Sequence, residues 1–536
     1  MEKRLFLAIG LSLLVVWLWS FVAPSPFKSS KSEIATQPIE NKRDDEILEN
    51  FQAPLLAELD QNENQEIIKL SSDKLTAEFS NIGGSLNTVT MNEFGTFLPI
   101  ENIAGLQGYE NLIFLANYES DNSINYVYEN DNIKIIRSFQ LKSNEYVIKA
   151  STEIYNKSNM SKLEEVSISG YTINMSKLDI KDDQLDVSQT RDRNLDEYVV
   201  FNEGDIFRKA GAFQFHQNEK KDELGKVYWT GFRDRYFCAI VKPQYTTIKY
   251  SINPIDDKTL QIATGVGKIT ILPNTGAKFD SLIFVGPERM DILKIYNAGF
   301  EKIKKYYKFG LLDGIAKIIS SMMYLIYKFI PNWGVTIVLI STIIYFAMYP
   351  LTLKGMMSMK RMQALQPMIM QLKEKNKDNP QKLNKEMMEL YKQYKVNPVG
   401  GCLPMLLQMP VFIGLYQVLW RSVSFKGANF LWMEDLSGPD RLFLMPFSIP
   451  FLGNEFNLLP ILIAVIMFLQ QKITAKNMVV TDPTQAAQQR MMGTIMPIFI
   501  GFIFYKFASG LTLYFTMFYI YSTLSQWKMS KMTSGK

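Results

Sequence analysis

Residues 329–353 read FIPNWGVTIVLISTIIYFAMYPLTL, twenty-five positions without a charged side chain, set between Lys328 and Lys354. A helix needs about 20 mostly apolar residues to cross the ~30 Å hydrocarbon layer of a bilayer. This run reads as a spanning helix, and it decides that the chain belongs in a membrane. Further uncharged runs follow at Val396–Trp420, Phe456–Gln471, Met491–Tyr505 and Phe507–Trp527. An earlier one, Leu5–Phe27, lies behind Lys3 and Arg4. Signal cleavage after Ala23 would want a small residue where Phe21 stands, and Pro24 follows, so an uncleaved anchor is expected. The run Leu442–Asn454 contains Pro446 and Pro450, is too short to span, and is expected at the interface.

Orientation follows from the basic residues, because short cytoplasmic loops carry an excess of Lys and Arg. The segment Lys354–Lys395 holds ten basic residues against four acids and is expected inside. Lys472–Arg490 and Lys528–Lys536 are basic too. Ser422–Glu455 sets only Lys426 and Arg441 against Glu434, Asp435, Asp440 and Glu455, so it faces out. Six spans with both termini inside satisfy every loop and leave the long polar stretch after the first span outside. The runs Phe456–Gln471 and Met491–Tyr505 are only about 15 residues long, roughly 23 Å at 1.5 Å per residue. Snorkelling of Lys472 and Lys506, or local thinning of the bilayer, accommodates them.

Averages hide this division. The 536 residues are 47% hydrophobic with net charge +5, and mean hydropathy is near zero. Cys238 and Cys402 lack metal-ligand spacing and fall on opposite sides of the membrane; His216 is the single histidine. That argues against a His-rich metal site or a Ser-His-Asp triad in the membrane part. No cofactor, metal, enzymatic chemistry or small-molecule substrate is expected.

The outer stretch shows short alternating runs, such as Lys74–Ser80, Tyr146–Ile154, Lys226–Trp229, Tyr236–Val241 and Thr246–Ile252. Turn signals at Gly83-Gly84 and Asn274-Thr275-Gly276 separate them. The pattern predicts an all-β sandwich. Asp234 and Glu288 read as surface or turn residues. From Glu288 to Tyr307 the period becomes helical through Ile292, Ile295, Tyr296, Phe300, Ile303 and Tyr307. Leu311–Ile330 is a second amphipathic stretch, expected in the outer interface.

Inside, Gly355–Asn376 carries a helical stripe of Met359, Met362, Leu365, Met368 and Leu372, with Pro367 as a kink. A turn at Lys377-Asp378-Asn379-Pro380 leads to a second helix over Gln381–Tyr394. A cytoplasmic helical hairpin results. Its methionine-rich surface suits packing or varied apolar partners.

The expected organisation is an anchor over 1–27, a flexible linker over 28–60, a β-sandwich over 61–287 and interfacial helices over 288–332. Then come a span over 333–353, the hairpin over 354–395, a span over 396–421 and an outer loop over 422–455. A span over 456–472, a cytoplasmic loop over 473–490, spans over 491–506 and 507–527, and a tail over 528–536 complete it.

The run VNPVGGCLPMLLQMPVF at Val396–Phe412 joins Tyr349-Pro350-Leu351-Thr352, Thr481-Asp482-Pro483 and Ser509-Gly510-Leu511. With the topology, this set resembles the YidC family of membrane protein insertases, of the Gram-negative type with a large periplasmic domain. The resemblance implies a five-helix core with a hydrophilic groove open to the cytoplasm and to lipid, in the bacterial inner membrane. It implies nascent membrane proteins as clients and the Sec translocon as a partner. Ribosome contact would depend on the cytoplasmic loops. Positions matching the family's groove are Ser341, Thr342, Tyr514 and Phe515. Those matching its client contacts are Gln408, Met409, Pro410 and Phe412, with Phe504 placed by its span; Gln408 also serves as a groove amide.

One departure stands out. The family places an arginine in the second span where this chain has Tyr345. The groove is therefore expected to work through hydroxyls and amides, Tyr345 included, with Lys354 reaching inward as the rival. Two other function classes remain open from the residues alone: a transporter or channel, and a membrane-anchored periplasmic binding protein. Paired intramembrane charges or repeated broken helices would favour the first, and neither is seen.

Overall fold

The computed structural model describes residues 65–178, 196–203, 205–210, 215, 220–307, 309–376, 379–397, 403–450, 452–476 and 483–534. The anchor over 1–27, the linker over 28–60, His216, Cys402, Thr481 and Asp482 lie outside the described residues. The chain divides near residue 287 into two compact units.

The first unit is β-rich, with sheets of nine, five and four strands among the described residues. Strand Ile133–Leu141 shows why. Its residues alternate, burying Ile133, Ile135, Arg137, Phe139 and Leu141 on one face, as the period of two requires. Arg137 is the exception among apolar neighbours. Its guanidinium donates to the Gly83 carbonyl at 2.6 Å and to the Ala104 carbonyl. A fully desolvated charge is costly unless it is hydrogen-bonded in this way. The arginine thus staples the Gly83-Gly84 turn, where both glycines have positive φ.

Strands Lys162–Asn174 and Thr259–Ile271 pair antiparallel over their length in the five-stranded sheet, with two register shifts. The close approach of this sheet to the nine-stranded one is set at Gly170. A β-carbon there would stand 2.4 Å from the Thr230 hydroxyl oxygen. Cys238 is fully buried. Asp234 follows strand Val227–Arg233 and is buried rather than at the surface.

The second unit is helical. The single helix expected over Glu288–Tyr307 is broken into turns at Met290–Leu293, Lys294–Tyr296 and Phe300–Ile303. Asn297 and Gly299 adopt left-handed backbone, which ends a right-handed helix. Glu288 is also buried, and its carbonyl accepts from the Lys304 ammonium at 3.1 Å.

The longer helices among the described residues are α1 Gly310–Phe329, α2 Trp333–Ala364, α3 Gln366–Lys375, α4 Pro380–Gln393, α5 Leu403–Arg421, α6 Leu458–Lys476, α7 Pro483–Phe504 and α8 Ser509–Ser534. Helix α1 packs on α5; α8 packs on both α2 and α6; α6 packs on α7. Among the described residues, Gly310–Phe329 and Trp333–Met362 are long and apolar enough to cross a membrane. The apolar stretches Leu458–Thr474 and Gly493–Phe504 are shorter.

Helix α1 departs from a simple amphipathic arrangement. Its buried stripe includes Asp313 and Ser320, while Leu311, Ile318, Leu325 and Phe329 point outward. Asp313 is satisfied inside: one carboxylate oxygen accepts from the Tyr306 and Tyr307 amides, and the other pairs with Lys317.

Helix α2 continues past Pro350 and Lys354 without a break, so the expected span and the base of the hairpin are one helix. The break comes at Leu365, and Pro367 lies in the first turn of α3, where a missing amide proton costs nothing. Asn379 caps α4 by accepting from the Lys382 amide. Leu365, Ile369 and Val396 are buried against Met362, Met387, Leu390 and Tyr391. Met357, Met359, Met368 and Met388 remain exposed.

Candidate functional site

A cavity of about 1370 Å³ is bounded by α2, α3, α5, α6, α7 and α8. Its apolar side is built by three rings from different helices. Phe412 of α5 meets Phe515 of α8 at 5.0 Å between centroids, and Phe504 of α7 meets the same ring at 4.7 Å, both edge to face. That geometry suits the ring quadrupoles. Met409 of α5 lies beside them on the cavity wall and is exposed.

Gln408 also lines the cavity, and its amide donates to the buried Tyr514 hydroxyl at 2.7 Å. Tyr514 itself is behind the wall. Pro410 lies inside α5, where its ring forgoes one helical hydrogen bond; it is not among the lining residues.

The three polar positions on α2 are placed differently. The Ser341 hydroxyl donates to the Ile337 carbonyl of its own helix, and Ser341 is buried. The Thr342 hydroxyl donates to the Val338 carbonyl at 2.8 Å, so its oxygen accepts from the Tyr521 hydroxyl at 2.7 Å. The Tyr345 hydroxyl donates to the Tyr521 carbonyl at 3.1 Å and pairs with Ser525 Oγ at 2.7 Å. All three lie in the seam toward α8 or within α2, not among the lining residues. Lys354 is exposed and borders a separate, smaller hollow with Lys395 and Asn397. Lys360, further along α2, lines the main cavity.

A second polar wall escaped the sequence reading. Thr474 of α6 with Ser522 and Gln526 of α8 line the cavity. Gln470 donates to Ser522 Oγ at 3.1 Å, and the Thr474 hydroxyl lies 3.0 Å from Gln526 Oε1. The signal was present as Gln470/Thr474 and Ser522/Gln526. Residues four apart share a helix face, and polar pairs of this kind in apolar helices hydrogen-bond across to a neighbour. At the hairpin end, Gln371 and Glu374 of α3 complete the lining. The cavity therefore offers aromatic surface at one end and hydroxyl, amide and charged groups at the other.

The family described as "60Kd inner membrane protein" matches residues 325–536. The one described as "YidC periplasmic domain" matches residues 110–322. The chain is 36% identical over 342 residues to the membrane protein insertase YidC of Pelobacter propionicus, covering 61% of each chain. It is 36% identical to that of Herminiimonas arsenicoxydans, covering 63% of this chain and 58% of the relative. The alignments thus span about three fifths of those two relatives' lengths. A third, from Geotalea daltonii, is 28% identical and aligns over 96% of both chains. Among solved structures the chain is similar to one titled an active YidC insertase with the first transmembrane domain resolved. The identity is 18%, the coverage 98% of this chain and 99% of that one, and the TM-score 0.38. It is similar over 41% of its length to a galactose mutarotase related enzyme from Lactobacillus acidophilus, at 9% identity and TM-score 0.31.

Proposed function

From the premise that this chain belongs to the YidC family of membrane protein insertases, we propose that it moves transmembrane segments of client proteins from the cytoplasm into the inner membrane through the cavity just described. The carrying observation is the cavity's composition. A client's apolar helix needs a surface to slide along, and its polar end needs partners while it crosses. Carrying polar groups through hydrocarbon costs several kcal/mol when nothing bonds them. Thr474, Ser522, Gln526 and Gln408, together with water, supply such partners. Phe412, Phe504, Phe515 and Met409 supply the sliding surface. The chemistry is transfer between environments and breaks no covalent bond.

In this reading six helices span the membrane around a five-helix core, both termini lie in the cytoplasm, and the β-rich unit lies in the periplasm. The α3–α4 hairpin is cytoplasmic and receives the client. The outward apolar faces of α6 and α7, with Val465, Phe468, Ile498 and Phe502 exposed, suit contact with lipid. Clients are nascent membrane proteins. The Sec translocon and the ribosome are partners of the same step, the ribosome through the basic cytoplasmic loops. Behind the wall, Thr342 and Tyr345 tie α2 to α8, Tyr514 ties α8 to α5 through Gln408, Ser341 bonds within α2, and Pro410 shapes α5.

Photocrosslinking tests the reading. Probes at Met409, Phe412 and Phe515 in intact inner membranes should trap the emerging helix of a small two-span client. Equal or greater trapping from Val465 and Phe502, on the lipid-facing surfaces, would refute the route.

A further inference from the structure

Between α5 and α6 the chain forms a β-ribbon, in which strand Phe443–Ile449 pairs antiparallel with strand Gly453–Phe456. No charge occurs from Leu442 to Asn454. Leu442, Phe443, Leu444 and Phe447 are all exposed. Phe443 and Leu444 are successive, so they point to opposite faces. A ribbon that binds a protein through one face keeps the other polar; this one is apolar on both.

Its base is charged and firmly mounted. Arg441 pairs with Glu455 across the first rung, and Phe443 stacks on Phe456 at 4.7 Å. The Asp440 carboxylate accepts from the Leu458 and Leu459 amides at 2.7 and 2.8 Å, which closes the first turn of α6. The Asn457 amide donates to the Tyr505 carbonyl at 2.7 Å, at the turn between α7 and α8. The ribbon is thus a rigid extension of the outer ends of helices whose free faces are apolar.

We infer that this ribbon is a lipid anchor, lying in the outer leaflet at the boundary between headgroups and acyl chains and setting the depth of the outer end of α6. The inference rests on the membrane topology proposed above. Lipid is the occupant because the apolar surface is two-sided and continuous with the outward faces of α6 and α7. Depth is limited by the backbone. Open strand edges are not tolerated in hydrocarbon, and Pro446 and Pro450 remove two amide donors from the segment without removing the rest. The Arg441–Glu455 pair stays in the wet headgroup layer, as an amphipathic interfacial element requires.

The test uses full-length protein in phosphatidylcholine vesicles, with Cys238→Ser and Cys402→Ser as background. An environment-sensitive fluorophore is attached through Leu444→Cys or Phe447→Cys, with Val465→Cys on α6 and Lys426→Cys as controls. Nitroxides are carried on the lipid acyl chain near the headgroup or near the chain end. At the ribbon positions we expect blue-shifted emission quenched about twofold more by the shallow nitroxide, consistent with burial about 5–10 Å into the interface. Water-like emission at 444 and 447 with quenching at 465 would overturn the anchor while leaving the topology standing. Blue-shifted emission without lipid quenching would mean that protein covers the ribbon, and overturns it too. Stronger quenching by the deep nitroxide overturns the boundary position. No quenching at 465 would overturn the topology and the anchor together.

Discussion

The hydroxyl of Tyr345 lies 2.7 Å from Oγ of Ser525, tying α2 to α8. The Tyr345 side chain is spent on a helix seam. Hydrogen bonds between membrane helices are worth about 0.6–1.7 kcal/mol. Tyr345→Phe and Ser525→Ala should each destabilise the helical unit by about that amount, and the double variant by no more than Tyr345→Phe alone, which already removes the bond to the Tyr521 carbonyl as well. Thermal unfolding in detergent measures the cycle. Additive losses would show that the pair is not coupled.

Phe515 touches Phe412 and Phe504 at once, and each aromatic pair contributes about 0.5–1.5 kcal/mol beyond its buried area. Phe515→Ala is expected to slow client insertion into proteoliposomes severalfold, whereas Phe515→Leu, which keeps most of the volume, retains more than half the rate. If the alanine variant inserts at the unaltered rate, the ring is packing and not a client surface.

On the proposed route, the wall of Thr474 and Gln526 would serve polar client segments. Thr474→Val with Gln526→Leu keeps the shape and removes the bonding groups. Clients whose translocated tail carries several charges should slow by about tenfold, the equivalent of about 1.4 kcal/mol of lost polar compensation. A client with a short uncharged tail should be spared. Equal slowing of both, measured by protease protection of the translocated tails, would point to a folding defect instead.

Asp440 closes α6 from outside the helix, accepting two of its first amides and the Trp432 indole N–H at 3.2 Å. Losing a cap costs about 0.5–2 kcal/mol. Asp440→Ala should lower the unfolding temperature and speed amide exchange at Leu458 and Leu459, and Asp440→Asn should recover part of both. Unchanged exchange at those two amides in the alanine variant would show that the cap contributes nothing.

Much of this was legible along the chain. Charge-free length is a local property, so the runs at 329–353 and 456–471 announced helices that the structure contains. Alternation in Lys74–Ser80 and Tyr146–Ile154 announced strands, and Leu75–Ser80 and Val147–Asn156 are strands. Breaks were harder. Ile292, Ile295, Tyr296, Phe300 and Ile303 keep helical spacing across a segment that Asn297 and Gly299 interrupt, yet Phe300 and Ile303 are buried while Ile295 is exposed, so the spacing does not mark one helix face. The buried positions of Asp234 and Glu288 were not legible, since burial depends on which distant segments cover a residue.

For the cavity, the sequence by itself determined the inventory: apolar spans, three phenylalanines on three helices, and hydroxyls and amides spaced by four. Only the tertiary structure decided which of these face one another. Helix rotation turned Phe412, Phe504 and Phe515 onto a common centre, and turned Tyr345 away from the cavity and into the α2–α8 seam. A periodic pattern states that a helix has a polar row, but the direction of that row is set by side-chain packing against neighbours distant in the chain.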